Sequence, residues 1–345
     1  MIWQLNGRST GRDLARSSDP RRTSRRAILI GAASLVMTGR GNAEPGLYRI
    51  GYLSPSSAAA SASNRAALSS GLEEHGHRAG RNIAVEYRFA DGRLDRLPGL
   101  AAELVALKPD ILFASGTQAT LAASKATRTI PIVFVAVTDP DGLGIVKSLR
   151  QPGTNATGLS NQSHEFQLKL LQLVKDAFPA ASDVAVLYNP LNVSEGRTLS
   201  ALKLAGPTLG LNVRAIEAKA PGDFAPAFRL LKAKRPDVLF VIAGPLMFQE
   251  RERIVALANG QHQAAVYGLS AFAEAGGLMS YSFSLIEQHR AAASYIDKIL
   301  KGVNPAALPV EQPTRFELVL NLRTAKAQGI SFPSAVLVRA DRVIE

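Results

Sequence analysis

His75-Gly76-His77 places two imidazoles one residue apart, a spacing that a metal ion could use in another setting. Here the pair ends a predicted helix, so a solvated turn is the reading expected, and no metal site is. Cysteine is absent, which excludes a disulfide framework, a thiolate metal centre, a cysteine nucleophile and lipid attachment to cysteine. The first apolar stretch runs into Gly51-Tyr52-Leu53-Ser54-Pro55 and not into a dinucleotide fingerprint. No Gly-Lys-Ser/Thr loop, His-Glu-x-x-His helix or Gly-x-Ser-x-Gly elbow is present. No catalytic residue and no cofactor are therefore expected.

What remains is a set of short hydroxyls, amides and helix starts. These are Ser54 and Ser56; Ser115, Gly116, Thr117 and Gln118; Thr138 and Asp139; Asn189 and Asn192; Gly244, Pro245 and Leu246; and Leu269 with Ser270. Groups of this kind hold a small polar ligand by hydrogen bonds, and helix starts at Gly116 and Gly244 would offer N–H groups to a carboxylate. Asp139 could meet a ligand ammonium. Each has a plainer use: Ser115 and Thr117 could cap a helix, Thr138 or Asp139 could cap one over Leu143–Leu149, and Pro245 suits a first helical turn.

These residues share a position relative to the elements that carry them. Ile111 to Ala114, Ile132 to Val137, Val184 to Tyr188 and Val238 to Ala243 are continuous apolar runs, the pattern of parallel strands covered on both faces. Leu97, Leu100, Leu104 and Leu107, and likewise Phe224, Phe228 and Leu231, recur at helical spacing. Alternating strand and helix predicts an α/β fold, and its ligands sit beyond the carboxyl ends of the strands, where the residues named above fall.

The pattern is written twice. Lys108-Pro109-Asp110-Ile111-Leu112-Phe113 returns 127 residues later as Arg235-Pro236-Asp237-Val238-Leu239-Phe240. The flanks match too: Ile83 to Phe89 corresponds to Leu211 to Ile216, and Arg49 to Pro55 corresponds to Asp183 to Pro190. Two Rossmann-like, doubly wound lobes facing each other across a cleft are expected. The motif itself should bind nothing. A chain of 345 residues with 46% hydrophobic content can bury two cores of ordinary size.

The N-terminal segment differs. Residues 1–43 carry eight arginines against Asp13 and Asp19, then an apolar run of eleven from Ala27 to Met37, the length of a signal-peptide core. Thr23-Ser24-Arg25-Arg26-Ala27-Ile28-Leu29 resembles a twin-arginine export signal, with Ile28 where Phe is usual; the general secretory route stays open. Cleavage is expected after Ala43. The formal net charge of +12 then falls to +6, from 32 basic and 26 acidic residues, scattered and forming no track for a phosphate backbone. A nucleic acid partner is not expected. Neither is a stable membrane anchor, since no internal stretch reaches the roughly 18 apolar residues of a span.

Several motifs in one order support a family comparison. Ile130-Pro131-Ile132-Val133-Phe134-Val135-Ala136-Val137-Thr138-Asp139-Pro140, Gly142-Leu143-Gly144-Ile145-Val146, Pro152 to Gly158, Val186-Leu187-Tyr188-Asn189-Pro190, and Phe316 to Asn321 with Thr324-Ala325-Lys326 resemble the tryptophan/phenylalanine-type family of ABC-transporter substrate-binding proteins. The resemblance runs from about Tyr48 to the C-terminus. It implies a type I periplasmic binding protein-like fold, two lobes joined by a three-strand hinge. The first lobe would take 46–158 plus 284–312, and the second 159–283 plus 313–345. Crossings would fall near Leu159, Ser282 and Val310. It further implies a monomeric periplasmic receptor that delivers a small metabolite to an ABC permease in the inner membrane. Amino-acid-binding relatives carry an acidic residue where this chain has Ser270-Ala271, so tryptophan or phenylalanine does not follow as the ligand. Alternatives are a receptor that presents its bound state to a membrane sensor protein, and an exported hydrolase.

Overall fold

The computed structural model describes residues 47–161 and 163–345; the export signal expected in residues 1–43 lies outside the described residues. Five strands build the first sheet: β1 (Tyr48–Ser54), β2 (Ile83–Phe89), β3 (Ile111–Ser115), β4 (Ile132–Val137) and β5 (Ala156–Ser160). Their order is β2-β1-β3-β4-β5, with every pairing parallel. The second sheet holds β6 (Asp183–Tyr188), β7 (Asn212–Glu217), β8 (Val238–Val241), β9 (Ala265–Tyr267), β10 (Met279–Ser282), β11 (Glu317–Asn321) and β12 (Arg342–Ile344). Its order is β12-β11-β10-β9-β8-β6-β7, antiparallel only between β10 and β11. The duplicated sequence thus returns as a duplicated topology, with β2-β1-β3 matching β7-β6-β8.

Helices cover both faces of each sheet. Those in the first half are α1 (Ala62–Glu74), α2 (Leu97–Ala106), α3 (Thr117–Ala126), α4 (Ser163–Ala177), α5 (Val193–Ala205) and α6 (Phe224–Lys234). There follow α7 (Pro245–Gln249), α8 (Arg251–Gly260), α9 (Ser270–Glu274), α10 (Leu285–Leu300), α11 (Leu322–Gln328) and α12 (Ser334–Leu337). Side chains alternate across a strand, so one apolar run feeds two cores. Ile111 and Phe113 pack with Leu68, Leu72, Ala292 and Ile296 of α1 and α10, while Leu112 and Ala114 pack with Leu100, Leu104 and Ala119 of α2 and α3. In the second sheet Val238 and Phe240 meet Leu170, Leu199 and Leu202, and Leu239 and Val241 meet Phe224, Phe228 and Ile254. Each large side chain so buried contributes about 1.5–3 kcal/mol of transfer free energy.

The repeated basic-Pro-Asp motif has one structural role in both copies. Lys108 and Arg235 sit beyond their helices at φ 50° and 44°, in the left-handed region, and the proline after each blocks another helical turn. The aspartate then reaches sideways. Asp110 Oδ2 accepts the Arg49 N–H of β1 at 2.7 Å, and Asp237 Oδ2 accepts the N–H groups of Ser182 and Asp183, at the head of β6, at 2.8 and 2.9 Å. Those donors hold the Asp237 carboxyl below the usual carboxylate range.

The chain passes between the sheets after β5, after β10 and before β11. α10 lies back on the first sheet against α1, where Asp297 Oδ1 meets His77 Nε2 at 3.0 Å and Arg290 pairs with Glu74. His77 is buried in that contact, contrary to a solvated turn, while His75 stays exposed in the turn after α1. On the last crossing Glu311 bridges Leu159. Two local expectations differ. β8 stops at Val241, two residues early. Residues 143–149 form turns and no helix: Gly144 takes φ 69°, and the Ile145 and Val146 N–H groups both reach the Pro140 carbonyl. Among the described residues no helix is long and apolar enough to cross a membrane.

Candidate functional site

The carboxyl ends of β1, β3, β4, β6, β8 and β9 converge on a cavity of about 100 Å³ between the two sheets. Ser54, Ser56, Ser115, Gly116, Thr117, Gln118 and Thr138 line it from the first lobe, and Asn192, Gly244, Pro245 and Leu269 from the second. Asn189, Asp139 and Leu246 do not line it, and Ser270 faces an adjoining cavity of about 380 Å³ beside Arg251, Glu274 and Arg342. Asn189 is buried with its Oδ1 accepting the Leu191 N–H, and Leu246 belongs to the core under α6. Asp139 is engaged elsewhere: its carboxylate accepts the Gly142 N–H and pairs with Arg197 of α5, from the other lobe.

Other lining residues had no place in the sequence reading. Asn64 comes from the first turn of α1, Asn161 from just after β5, Phe283 from the crossing after β10, Leu285 from the start of α10, and Phe248 from α7. Asn161 was reachable by the rule that located the others, because it follows a parallel strand. Phe248 was not, since only the folded α7 shows which of its faces looks into the cleft. Ala136 lines the cavity as well, at φ 54° within an irregular stretch of β4, and its N–H is taken by Gln288 Oε1 of α10 at 3.0 Å. A non-glycine residue in that region is strained, and such strain collects at sites.

The hydrogen bonding shows which groups face outward. Thr117 Oγ1 accepts the Thr138 N–H at 3.0 Å, and Thr138 Oγ1 donates to Asn161 Oδ1 at 3.2 Å, so neither threonine caps a helix. Ser115 Oγ lies 3.3 Å from His289 Nε2, whose Nδ1 lies 2.8 Å from the Leu285 carbonyl. Burial pushes His289 down to about 4, so the ring is neutral; Nδ1 carries the proton for the carbonyl, and Ser115 donates to Nε2. Gly116 stands before α3 with no side-chain cap, which leaves the first N–H groups of a ten-residue helix open toward the cavity. Its counterpart differs: α7 has five residues and Gly244 is extended, so the two starts are not equivalent.

Among the described residues that line the cavity none is charged. One wall is hydroxyl and amide; the other is Pro245, Phe248, Leu269, Phe283 and Leu285. The lobes touch directly across it, with Gln118 Nε2 donating to Asn192 Oδ1 at 3.2 Å. Asn192 also caps α5, its Oδ1 accepting the Ser194 N–H at 3.1 Å. Such a site can enclose a small molecule with an apolar body and a polar, carboxylate-bearing end.

A profile of the family described as ABC transporter substrate binding protein matches residues 50–344. The chain is 27% identical over 273 residues to a tyrosine-binding protein of Clostridioides difficile (strain R20291), covering 78% of each. It is similar to the crystal structure of an ABC domain in complex with L-Trp from Streptococcus pneumonia, at TM-score 0.78 and 24% identity, over 87% of this chain and all of that one. It is also similar to the ligand-free, open structure of a substrate binding protein with adhesive properties from Clostridium difficile. That match has TM-score 0.61 and 26% identity, over 87% of this chain and 99% of that one.

Proposed function

Because the chain belongs to the ABC transporter substrate binding protein family, we propose that it is an exported periplasmic receptor that encloses a small amphipathic metabolite between its lobes and delivers it to an ABC importer. An amino acid with an apolar or aromatic side chain, or a related carboxylate, fits best. The observation that carries this is the uncharged cavity, apolar along Phe248, Leu269, Phe283 and Leu285 and polar along Ser115, Thr117 and Gln118, at the open start of α3. The ligand carboxylate meets the α3 N–H groups and the hydroxyls, and the apolar body lies against Phe248 and Phe283. The names of the tyrosine-binding and L-Trp-bound relatives support that class.

A closed lobe arrangement is part of the reading. At similar identity the chain superposes better on the L-Trp complex than on the ligand-free open structure, and Gln118 reaches Asn192 across the cleft. A ligand that prefers the closed form shifts the population toward it. Residues 44–345, scanned against amino acids and their deaminated carboxylates, should gain melting temperature with at least one of these, as mass action requires. A scan in which no member of either class raises the melting temperature would exclude them. The same reading gives Asp139 and Arg197 a part in closure. Both are partly exposed, so the pair is worth about 1 kcal/mol or less. Arg197→Ala should speed ligand dissociation by about two- to fivefold in stopped-flow measurements, with association nearly unchanged; an unaltered off-rate would remove the pair from the closing contacts.

A further inference from the structure

Glu195 is buried in the first turn of α5, and both of its oxygens are committed. Oε2 accepts the Asn189 N–H at 2.7 Å and Oε1 accepts Asn192 Nδ2 at 2.9 Å. Among the described residues no lysine or arginine pairs with it. It lies directly behind the cavity wall: a Cβ on Gly244, which lines the cavity, would stand 1.9 Å from Oε1. The carboxylate therefore acts on the cleft through Asn192 and not by touching what is bound.

An amide has an acceptor end and a donor end, and the choice between them is made by its fixed neighbours. A carboxylate turns only the NH2 end of Asn192 toward itself, so Oδ1 points the other way, to the Ser194 N–H and to Gln118 Nε2 of the first lobe. We propose that Glu195 is a positioning residue for the cleft: it holds Asn192 with Oδ1 turned toward the first lobe, where the ammonium or other N–H donor of a ligand takes the place that Gln118 Nε2 holds in this structure, and so selects ligands that present such a donor at this wall. This rests on reading the cavity as a ligand site, as above. It also answers a difficulty in the site, where Asp139 is taken by Arg197 and no acid lines the cavity to meet an ammonium. The negative end of an amide backed by a buried carboxylate takes that place.

The surroundings of Glu195 agree. Burial pushes its carboxyl up to about 8, against the pull of the two N–H donors. Around it stand Asn189 and Asn192 on its own segment and Gly244 from the loop after β8; the ionisable groups nearby are Tyr188 and its partner Glu217, while Arg197 of the same helix turns away to Asp139. A cationic group bound at Asn192 favours the ionised carboxylate, so capture of an ammonium-bearing ligand tightens as pH rises toward 8.

Two measurements decide it. In ligand-free protein with 15N-labelled asparagine, the Asn192 side-chain amide, identified by its loss in Asn192→Ser, should titrate with a midpoint near pH 8. The titration should vanish in Glu195→Gln. An Asn192 amide that ignores both pH and Glu195→Gln overturns the proposal. The second measurement compares L-tyrosine and L-tryptophan with 3-(4-hydroxyphenyl)propionate and indole-3-propionate, which lack the ammonium. At about pH 8.5, above the carboxyl's midpoint, Glu195→Gln should weaken the two amino acids about tenfold, the scale of one hydrogen bond to a charged group, and the two deaminated acids by less than about threefold. Equal losses in both classes overturn the selective role. If wild-type protein binds none of the four probes, the aromatic-ligand reading fails, and the amide titration still decides what Glu195 does.

Discussion

Gly158→Ala should remove a large part of the stability of the first lobe. Gly158 lies in β5 at φ 145°, a conformation L side chains rarely adopt, and an added Cβ would stand 2.0 Å from the Phe134 carbonyl oxygen and 2.7 Å from the Phe134 nitrogen. Both are backbone atoms of the neighbouring strand, so no side chain can swing aside. The sheet must separate at the β4–β5 pairing, where the Gly158 carbonyl also accepts the Glu311 N–H of the last crossing. Overpacking and backbone strain together predict a loss of about 3–5 kcal/mol, against about 5–15 kcal/mol for a whole domain. Gly76→Ala is the control: its φ is 84° but a Cβ would meet nothing within 4 Å, so strain alone should cost about 1 kcal/mol. Equal denaturation midpoints for the two variants would refute the steric account.

Gly244→Ala should damage stability and binding together. Its backbone is extended and accepts any residue, yet the new Cβ would stand 1.9 Å from Oε1 and 2.4 Å from Cδ of Glu195. That carboxyl cannot retreat without leaving its two N–H donors unsatisfied in a buried place. The expected loss is about 2–4 kcal/mol in chemical denaturation, with ligand affinity falling as Asn192 loses its anchor. The cause can be isolated: in the Gly244→Ala background, Glu195→Ala removes both the clash and the buried acid, so it should restore part of the stability. Losses that simply add in the double variant would show that the two residues do not conflict.

The sequence carried the architecture because the strands bury both faces, and a run such as Ile111-Leu112-Phe113-Ala114 has no other economical fate. It carried the duplication for the same reason, and it placed the carboxyl-end loops near the cleft. Where it went astray, the deciding partner was remote. Asp139 reads as a ligand contact or a helix cap, but Arg197, 58 positions on, claims its carboxylate. A helix over Leu143–Leu149 fails because Gly142 and Gly144 flank the start and the Pro140 carbonyl gathers two N–H groups into a turn. Thr117 and Ser115 look like caps locally; Thr138 and His289 take their hydroxyls instead. Glu195 gave no signal at all, since nothing in Ser194-Glu195-Gly196 says that its carboxyl turns inward behind the cleft.

The placement of α10 has a consequence for how the chain acquires its shape. The first sheet is formed by residues 48–160, yet the face carrying Ile50, Ile111, Phe113 and Val133 is shared with Ala292, Tyr295 and Ile296. Without α10, only α1, through Leu68 and Leu72, covers that face. The second sheet, in turn, gains its last strands only from residues 317–344. Neither half can finish ahead of the other, although each has its own interior. A chain cut before Leu285 would therefore keep all five strands of the first sheet but lose α10 from one of its faces, and would lose β11 and β12 from the second sheet, so neither lobe would be complete.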